Sequence, residues 1–288
     1  MSTKQVTIIV PNYKTYQLTK VCLRLLRKNT DLNHADVIVV DNNSNDESSK
    51  YLKSLKWIKF IHRDGIPNEG GPMSHARALD LAFNKIKSPY VIVIHTDTFM
   101  IHPNWLNILM QPFDDPAVAG VGSWKLEHKN IFQRLGKHIE YLFKKLQKNK
   151  TNNQRFNKDY HYLRSHCAIY KTDLIKKVNS SFSDQNESAG KVLHKKLIHA
   201  GYKMIFLESN FLNKYVNHIN HATQAINDEF GIRSANKVIK DYFGYMNRNE
   251  IKEILKDDTL DNYIFEMLNR LNVFSLYCFF PGTKITPS

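Results

Sequence analysis

The sequence has few cysteines, no long apolar run and no signal-peptide pattern at its amino terminus. Its three cysteines, Cys22, Cys167 and Cys278, are far apart and match no metal-ligand spacing, which argues against a cysteine-based metal site. Because no stretch of about 18 uninterrupted apolar residues occurs, we expect no membrane-spanning helix. Residues 1–5 carry no signal-peptide pattern, so a reduced, cytoplasmic protein is the simplest expectation.

Acidic residues are few relative to basic ones, with 27 acidic side chains against 41 lysines and arginines and a formal net charge of +14. This excess favours anionic partners, namely nucleic acid, acidic lipid headgroups, or phosphorylated and acidic glycan substrates. The basic residues cluster in 134–158 and 237–256 and do not alternate with aromatic residues on predicted strands. Nucleic acid is therefore the least favoured of these partners.

The hydrophobic content, 42% of 288 residues, is sufficient for one large folded domain with or without an appendage. The first half alternates two patterns, with strands predicted at 6–10, 37–40, 57–62 and 90–94 and helices at 16–28, 47–55 and 74–85. The second half predicts a basic amphipathic helix at 131–146, a return to the sheet at 161–170, a strand at 204–207, and helices at 191–199, 232–243 and 250–255. Continuous apolar strands separated by helices are typical of a parallel sheet covered on both faces.

Three of the predicted strands end in polar residues, which are Pro11-Asn12-Tyr13, residues 41–46, and His95-Thr96-Asp97. In an open α/β sheet, ligands bind beyond the carboxyl ends of the strands. These residues, with the glycine loop around Gly70 and Gly71, therefore predict a nucleotide site in which a cation on Asp97 would bridge diphosphate oxygens. The alternative is that Asp97 caps a turn and that the other polar residues only begin loops.

The same residues resemble family 2 glycosyltransferases of the GT-A fold. The resemblance is carried by residues 6–13, 39–46 and 68–77, and by the strand that ends at Asp97 together with residues 103–106. It covers residues 5–123 closely and 160–221 loosely. It implies an α/β fold with a Rossmann-like, mostly parallel sheet flanked by helices.

The resemblance also implies a domain organisation. A GT-A domain would span residues 1–222, with a nucleotide-sugar half at about 1–124 and an acceptor half at about 125–222 that includes the basic helical insert. A helical carboxyl-terminal extension would follow at 223–288.

By this resemblance, the residues that bind the donor are Pro11, Asn12, Tyr13, Asp41, Asp46, Gly70, Gly71, Arg77, His95, Thr96 and Asp97. The first four would hold the nucleoside, whereas Asp46 and Arg77 would shape the donor pocket or contact the diphosphate. An arginine is independently suited to bind phosphate through two hydrogen bonds, although Arg77 could equally be a solvent-facing helix residue.

The family's metal motif is Asp-x-Asp, and Asp97 would be its second acid, but His95 occupies the first position. Imidazole binds a ribose hydroxyl or a transition metal but is a poor magnesium ligand, so Mn²⁺ suits this site better than Mg²⁺. Loss of metal dependence is the alternative. The resemblance also implies that His218 completes the metal or diphosphate site. If the segment were helical, His221 would share a face with His218; the alternative is a polar loop histidine.

The expected catalytic base is also altered. Family members carry an acidic pair before a helix that ends in Ala-Gly-Tyr, and here that spacing falls on Ala189 and Gly190. Glu187 is the candidate for the carboxylate that deprotonates the acceptor hydroxyl, with Asp184 in reserve. The alternative is that Glu187 is an acid stabilised by the helix dipole at a helix amino end.

Together these features predict an inverting glycosyltransferase of the hexosyltransferase type, using a UDP- or dTDP-type sugar and a divalent cation. The acceptor would be an anionic glycan or a lipid-linked molecule, as in cell-surface polysaccharide or glycoconjugate synthesis. The basic segment 134–148 is compatible with peripheral contact at the inner membrane face, and equally with a solvated charged face.

Two alternative functions stay open. A nucleotidyltransferase of related fold would carry a glycine- and basic-rich signature after the first strand, and Pro11-Asn12-Tyr13 argues against it. A non-catalytic GT-A-like binding protein is compatible with the substitutions at His95 and Ala189.

Overall fold

The computed structural model describes residues 4–124, 126, 161–227 and 235–262, and the structural statements below concern these residues. In chain order the strands are β1 (Val6–Asn12), β2 (Ala35–Asp41), β3 (Lys59–His62), β4 (Tyr90–Ile94), β5 (Thr98–Met100), β6 (Val118–Gly122), β7 (Cys167–Lys171), β8 (Lys203–Phe206) and β9 (Val216–His218). The basic segment 134–148, most of the insert and Cys278 lie outside the described residues.

The described α-helices are α1 (Tyr16–Asn29), α2 (Glu47–Ser54), α3 (Gly71–Phe83), α4 (Trp105–Met110), α5 (Thr172–Lys177), α6 (Lys191–His199), α7 (Ser209–Leu212), α8 (Ala222–Ala225), α9 (Ala235–Met246) and α10 (Asn249–Lys256). Six of them overlap positions that the apolar spacing predicts, namely α1, α2, α3, α6, α9 and α10, whereas α4, α5, α7 and α8 were not predicted. No described helix has the length and apolar character needed to cross a membrane.

Seven strands form one sheet in the order β3-β2-β1-β4-β7-β6-β8, and β5 pairs with β9 in a second, two-stranded sheet. β1 is parallel to both β2 and β4, and β2 is parallel to β3, so these four strands place their carboxyl ends at one edge. β7 is antiparallel to β4 and β6. The predicted mostly parallel sheet is thus confirmed, and its reversed strand brings the residues before β7 to that same edge.

Alternate residues of β1 enter two separate hydrophobic cores, because successive side chains of a strand point to opposite faces of the sheet. Ile8 packs with Val21 of α1 on one face, whereas Ile9 packs with Leu79 of α3 on the other. Each fully buried aliphatic side chain contributes roughly 1.5–3 kcal/mol. Burial on both faces therefore holds the edge that carries the polar strand ends in one geometry.

Helix α3 begins at Gly71, three residues before the predicted start at 74. Pro72 lies in its first turn, where the fixed φ of proline suits a helix and the missing N–H has no intrahelical partner to lose. The prediction placed Pro72 in the loop because proline usually interrupts a helix. The loop of residues 63–70 joins the end of β3 to this helix, so the amino end of α3 lies at the carboxyl edge of the sheet.

The helices of the carboxyl-terminal extension pack against α1 through a buried arginine. Arg24 donates from Nη1 to the carbonyls of Ile254 and Leu255, at 2.9 and 2.6 Å, and these are among the last carbonyls of α10. Its Nη2 contacts Asp258 and Asp261, and its Nε donates to Asp261 at 3.0 Å. All five N–H groups of Arg24 are therefore bonded, which fixes α10 on α1.

Candidate functional site

The polar strand ends converge at one edge of the sheet because their strands pair in register. Asn12 at the end of β1 is opposite Asp41 at the end of β2, and β4 pairs with the other side of β1 before continuing into residues 95–97. Asp97 is 2% exposed. The site is thus built on the ends of three neighbouring strands.

Asn12 and Asp41 form the floor of this edge and are fully buried. The Asn12 amide donates to Asp41 Oδ1 at 2.8 Å, and it also lies 2.9 Å from Ser48 Oγ. Asp41 accepts further hydrogen bonds from Ser44 and Ser49, at 2.5 and 2.7 Å. Asn12 and Asp41, which were predicted to bind the nucleotide sugar, therefore use their polar atoms to hold together the loops that follow β1 and β2.

The other predicted nucleoside and pocket residues occupy different positions around this floor. Pro11 is buried within β1, and Tyr13 directly after the strand is half-buried, so its ring is accessible. Asp46 is the N-cap of α2, where its carboxylate accepts from the backbone N–H groups of Ser48 and Ser49 at 3.0 and 3.4 Å. Tyr13 is the aromatic member of this set, and Lys14 Nζ lies 5.3 Å from the centre of its ring.

Arg77 is linked to the glycine loop by an acidic residue. Its Nη1 donates to Glu69 at 2.8 Å, while Glu69 is buried and receives two hydrogen bonds from Arg63, each of 2.7 Å. The side chain of Arg77 is 43% exposed. Gly70 precedes α3 in extended backbone, and an added Cβ there would contact nothing within 4 Å. The Arg77 guanidinium therefore retains an accessible face beside the helix amino end.

His95, Asp97 and His218 form a cluster that the long-range pairing of β5 with β9 creates. Thr98 pairs with His218 across these strands, which places His218 beside Asp97. His218 Nε2 lies 3.3 Å and His95 Nδ1 lies 3.7 Å from Asp97 Oδ1. The three side chains can offer one ligand atom each, all within 4.8 Å of one another. This is the one group of this kind among the described residues.

Asp97 Oδ1 is buried and accepts no hydrogen bond from the described residues, and the same holds for His218 Nδ1. The other carboxylate oxygen, Oδ2, accepts from the backbone N–H of Thr223 at 3.4 Å. A buried carboxylate oxygen without a donor is costly unless a ligand satisfies it. Thr96, also buried, fixes the neighbouring turn through hydroxyl contacts with Thr15 and Thr223, at 3.2 and 3.4 Å.

Two further histidines, His75 and His166, surround the cluster. The ring of His75 meets that of His95 edge-on at 4.6 Å, and the ring of His166 stacks on that of His218 at 4.7 Å. Burial lowers the pKa of His75 to about 4 and holds those of His95 and His166 well below the usual range. Near neutral pH these three imidazoles are therefore uncharged and keep lone pairs.

The charge of the cluster is carried by Asp97. Burial alone would raise the pKa of its carboxyl, but the imidazoles of His218 and His95 outweigh that effect and lower the pKa to about 2. One carboxylate and two imidazoles are a donor set that suits divalent transition metals, whereas Mg²⁺ prefers oxygen ligands only. The residues present thus fit a transition-metal ion of the manganese type better than magnesium.

The candidate bases Glu187 and Asp184 lie in the segment before α6 and are paired with lysines. Glu187 is 46% exposed and bonded to Lys191 at 2.9 Å, and this hydrogen bond lowers its pKa. Asp184 is bonded to Lys196 at 2.6 Å, which likewise lowers its pKa. In the described part of the chain, neither carboxylate has a hydrogen bond or ion pair with the Asp97 cluster.

His221 and two tryptophans occupy positions outside the cluster. His221 does not share a helix face with His218: it is a turn residue with φ of 62° that contacts Gln224, which agrees with the alternative of a polar loop histidine. Trp105 is a fully buried core residue. Trp124 is half-buried, and the guanidinium of Arg164 lies 5.1 Å from the centre of its ring.

Four further residues were not predicted from the sequence, namely His75, His166, Ser165 and Arg164. The last three directly precede β7, and a strand antiparallel to its neighbours begins where the parallel strands end. A polar segment before a predicted strand is the signal that could have located them, had the direction of that strand been known. His75 gave no signal beyond its place in the first turns of a helix.

Comparisons with known proteins identify the family and agree with the fold. The family model described as glycosyl transferase family 2 matches residues 7–178, more than half of the chain. A mannosyltransferase from Pyrobaculum calidifontis, solved in complex with GDP-Man and Mn²⁺, aligns with 96% of this chain and 81% of its own at 15% identity and a TM-score of 0.51. S. aureus TarS 1–349 in complex with UDP-GlcNAc aligns with 84% of this chain and 72% of its own at 14% identity and a TM-score of 0.50. A search of curated proteins finds no match.

Proposed function

Since the chain belongs to glycosyl transferase family 2 and is a glycosyltransferase, we propose that it inverts the anomeric centre of a hexose taken from a nucleotide-diphosphate sugar. The acceptor is an anionic glycan or a lipid-linked molecule. Asp97, His95 and His218 hold a divalent transition metal, with Mn²⁺ preferred over Mg²⁺. When bound, this ion neutralises the charge of the diphosphate leaving group.

The observation that carries this proposal is the unsatisfied Asp97 Oδ1. Two imidazole nitrogens face it at 3.3 and 3.7 Å without a hydrogen bond, at the strand ends where α/β proteins bind ligands. Three ligand atoms lie close together without hydrogen bonds between them. A shared cation would bind all three, whereas they do not bind one another.

The donor site extends from the cluster toward β1 and α3. Tyr13 covers the nucleobase of the sugar donor, and the buried pair of Asn12 and Asp41 keeps the surrounding loops in place. Arg77 presents its accessible face to the diphosphate, where a guanidinium binds two oxygens at once. The S. aureus neighbour was solved with UDP-GlcNAc, which supports a uridine-type donor, whereas the P. calidifontis neighbour was solved with GDP-Man.

Glu187 remains the proposed catalytic base, with Asp184 as the alternative. The lowered pKa of Glu187 keeps it ionised near neutral pH, which is the state a base requires, and its exposure leaves it accessible to an acceptor. Asp184 is held between Lys196 and Ser180, so it is less free to approach a hydroxyl. The net charge of +14 supports an anionic acceptor and a peripheral position at the inner membrane face.

The proposed organisation keeps residues 1–222 as the transferase domain, divided at about 124, and 223–288 as its extension. The alternative of a non-catalytic binding protein of the same fold is disfavoured, because the chain belongs to a family of glycosyltransferases.

A panel of UDP-, dTDP- and GDP-sugars tests the proposal by donor hydrolysis in Mn²⁺, in Mg²⁺ and in a chelator. We expect turnover of at least one donor, faster with Mn²⁺ and abolished by the chelator. No binding and no turnover across the panel would overturn the proposed sugar donors and the proposed metal dependence.

The base is tested by Glu187→Gln against Glu253→Gln. Both glutamates are exposed and bonded to a lysine four or three positions later in the chain, at 2.9 and 3.1 Å. Glu187→Gln is expected to lower transfer by about 100-fold, the scale of general base catalysis, while Glu253→Gln has no effect. Equal activity of the two variants would show that another group removes the proton.

A further inference from the structure

A single serine hydroxyl lies between two of the four histidines at the site. Ser165 Oγ is 2.9 Å from His95 Nε2 and 3.2 Å from His75 Nε2. Ser165 belongs to the polar segment before β7, His95 follows β4, and His75 lies in α3. Three separate elements therefore supply one continuous hydrogen-bonded chain that ends at a candidate metal ligand.

The direction of this chain decides which nitrogen of His95 is available. A serine hydroxyl has one proton, so Ser165 can donate to one imidazole and must accept from the other. If it donates to His95, the ring carries its proton on Nδ1, which faces Asp97 Oδ1 at 3.7 Å and then cannot bind a metal. If it donates to His75 instead, it accepts from His95 Nε2–H, and the Nδ1 lone pair faces Asp97.

We propose that Ser165 and His75 are positioning residues that hold His95 in the tautomer protonated on Nε2, so that Nδ1 serves as a metal ligand beside Asp97. His75 acts by accepting the proton of Ser165, which leaves the serine as an acceptor for His95. This inference rests on the metal-dependent function proposed above, and it assigns a role to two residues outside the three ligands.

The other ligand histidine has a different arrangement. His218 Nδ1 has no hydrogen-bond partner among the described residues, and its ring is held by stacking on His166. His166 is in turn bonded to Ser123 at 2.9 Å. The serine–histidine chain through Ser165 is therefore specific to His95, and Ser123 offers a matched serine that does not contact this ligand.

The test measures metal affinity and tautomer in the full-length chain, with Ser165→Ala and His75→Phe as the two variants. Mn²⁺ binding is followed by calorimetry and Co²⁺ binding by visible absorption, and the tautomer of His95 is read from ¹⁵N chemical shifts of labelled histidine. Removing a partner of a ligating histidine typically weakens metal binding about 10–100-fold, which is the loss expected for Ser165→Ala. His75→Phe keeps the ring contact but not the acceptor, and it is expected to weaken binding about 10-fold.

Ser165→Thr keeps the hydroxyl and should bind both ions as the unaltered protein does, and Ser123→Ala should leave the ¹⁵N shifts of His95 unchanged. Wild-type affinity in both Ser165→Ala and His75→Phe, or a proton on Nδ1 of His95 in the unaltered protein, would overturn the proposal. Absence of Mn²⁺ and Co²⁺ binding by the unaltered protein would overturn the metal site together with it. Metal binding that responds to Ser165→Ala, without sugar transfer to any acceptor or water, would overturn the proposed function alone.

Discussion

Arg24 and Asp97 are both buried charged residues, but their hydrogen bonding differs completely. Arg24 is 0% exposed and all five of its N–H groups are bonded to Asp258, Asp261 and the end of α10. Asp97 is almost equally buried, yet its Oδ1 accepts no hydrogen bond. The first arrangement stabilises the docking of two helices, whereas the second leaves binding capacity for a ligand.

The largest effect is expected for Arg24→Met, which should lower stability but not activity. The substitution leaves the carbonyls of Ile254 and Leu255 without this donor. It also leaves Asp261 with only the hydroxyl of Tyr51 as a donor among the described residues. Breaking a buried pair in this way costs about 3–5 kcal/mol. Denaturant unfolding should show this loss, while kcat per folded molecule stays close to that of the unaltered protein. Lys20→Met, on the same helix and 3.9 Å from Asp258 through a more exposed pair, should cost less than about 1 kcal/mol. If both variants lose the same unfolding free energy, Arg24 contributes no more to stability than Lys20 does.

Asp97→Asn is expected to show the opposite pattern. Loss of a metal ligand should lower sugar transfer by at least about 100-fold, or roughly 2.7 kcal/mol of transition-state stabilisation, and should abolish Mn²⁺ binding. The free energy of unfolding without metal should change less than in Arg24→Met. The control is Asp36→Asn, at the amino end of β2 and paired with Lys59 at 2.8 Å, which should retain activity. If Asp97→Asn unfolds the protein as Arg24→Met does, Asp97 is structural.

His194 is another residue with a buried polar atom that has no hydrogen-bond partner in the described part of the chain, but it is not part of a ligand cluster. Its Nε2 has no partner among the described residues, as with Asp97 Oδ1, but no second ligand atom converges on it. Burial lowers its pKa from 6.5 to about 4. The folded protein thus keeps His194 neutral where the unfolded chain binds a proton, so this contribution to stability is complete above pH 6.5 and is lost as the pH falls toward 4.

For one such proton, the free energy of unfolding should fall by about 1.4 kcal/mol per pH unit across that window. His194→Asn can keep the acceptor for the Leu163 N–H while removing the titration, so its unfolding free energy should fall less steeply between pH 6.5 and 4. His199→Asn, at the exposed end of the same helix, should keep the original slope. Identical slopes in the two variants would contradict the assignment to His194.

The smallest effect concerns Asp46, a carboxylate bonded to backbone rather than to charged side chains. Asp46→Ala removes the N-cap of α2 and should cost about 1 kcal/mol in unfolding, whereas Asp46→Asn should preserve the cap. If Asp46→Asn keeps its stability but raises KM for the donor several-fold, the carboxylate also contributes to the donor pocket. Unchanged KM and kcat in Asp46→Asn would restrict Asp46 to capping.

Local patterns predicted most of the elements around the site. The helix at 191–199 matches α6 at both ends, and the apolar strand at 90–94 matches β4, because periodicity and uninterrupted hydrophobic runs are properties of neighbouring residues. β5 and β9 escaped prediction because strands of three residues are too short to show a period. Their pairing is what places His218 beside Asp97.

The composition of the cluster could be predicted only in part. His95, Asp97 and His218 were identified through strand ends and family resemblance, whereas Ser165 lies 70 positions from His95 in a polar segment whose side of the sheet could not be predicted. The reversed direction of β7 brings it to the site. A sequence pattern reports the burial of a strand but not its orientation, so residues before β7 could not be assigned to the same edge as residues after β4.

The sequence by itself therefore determined the alternation of strands and helices, the polar strand ends and the family, since each depends on residues close together in the chain. Tertiary structure alone decided that Asp97 Oδ1 is left without a donor and that four histidines gather around it. The physical reason is that these contacts join β4, α3, the segment before β7 and β9 across long stretches of chain. Their geometry is set by the packing of the two cores on either side of the sheet.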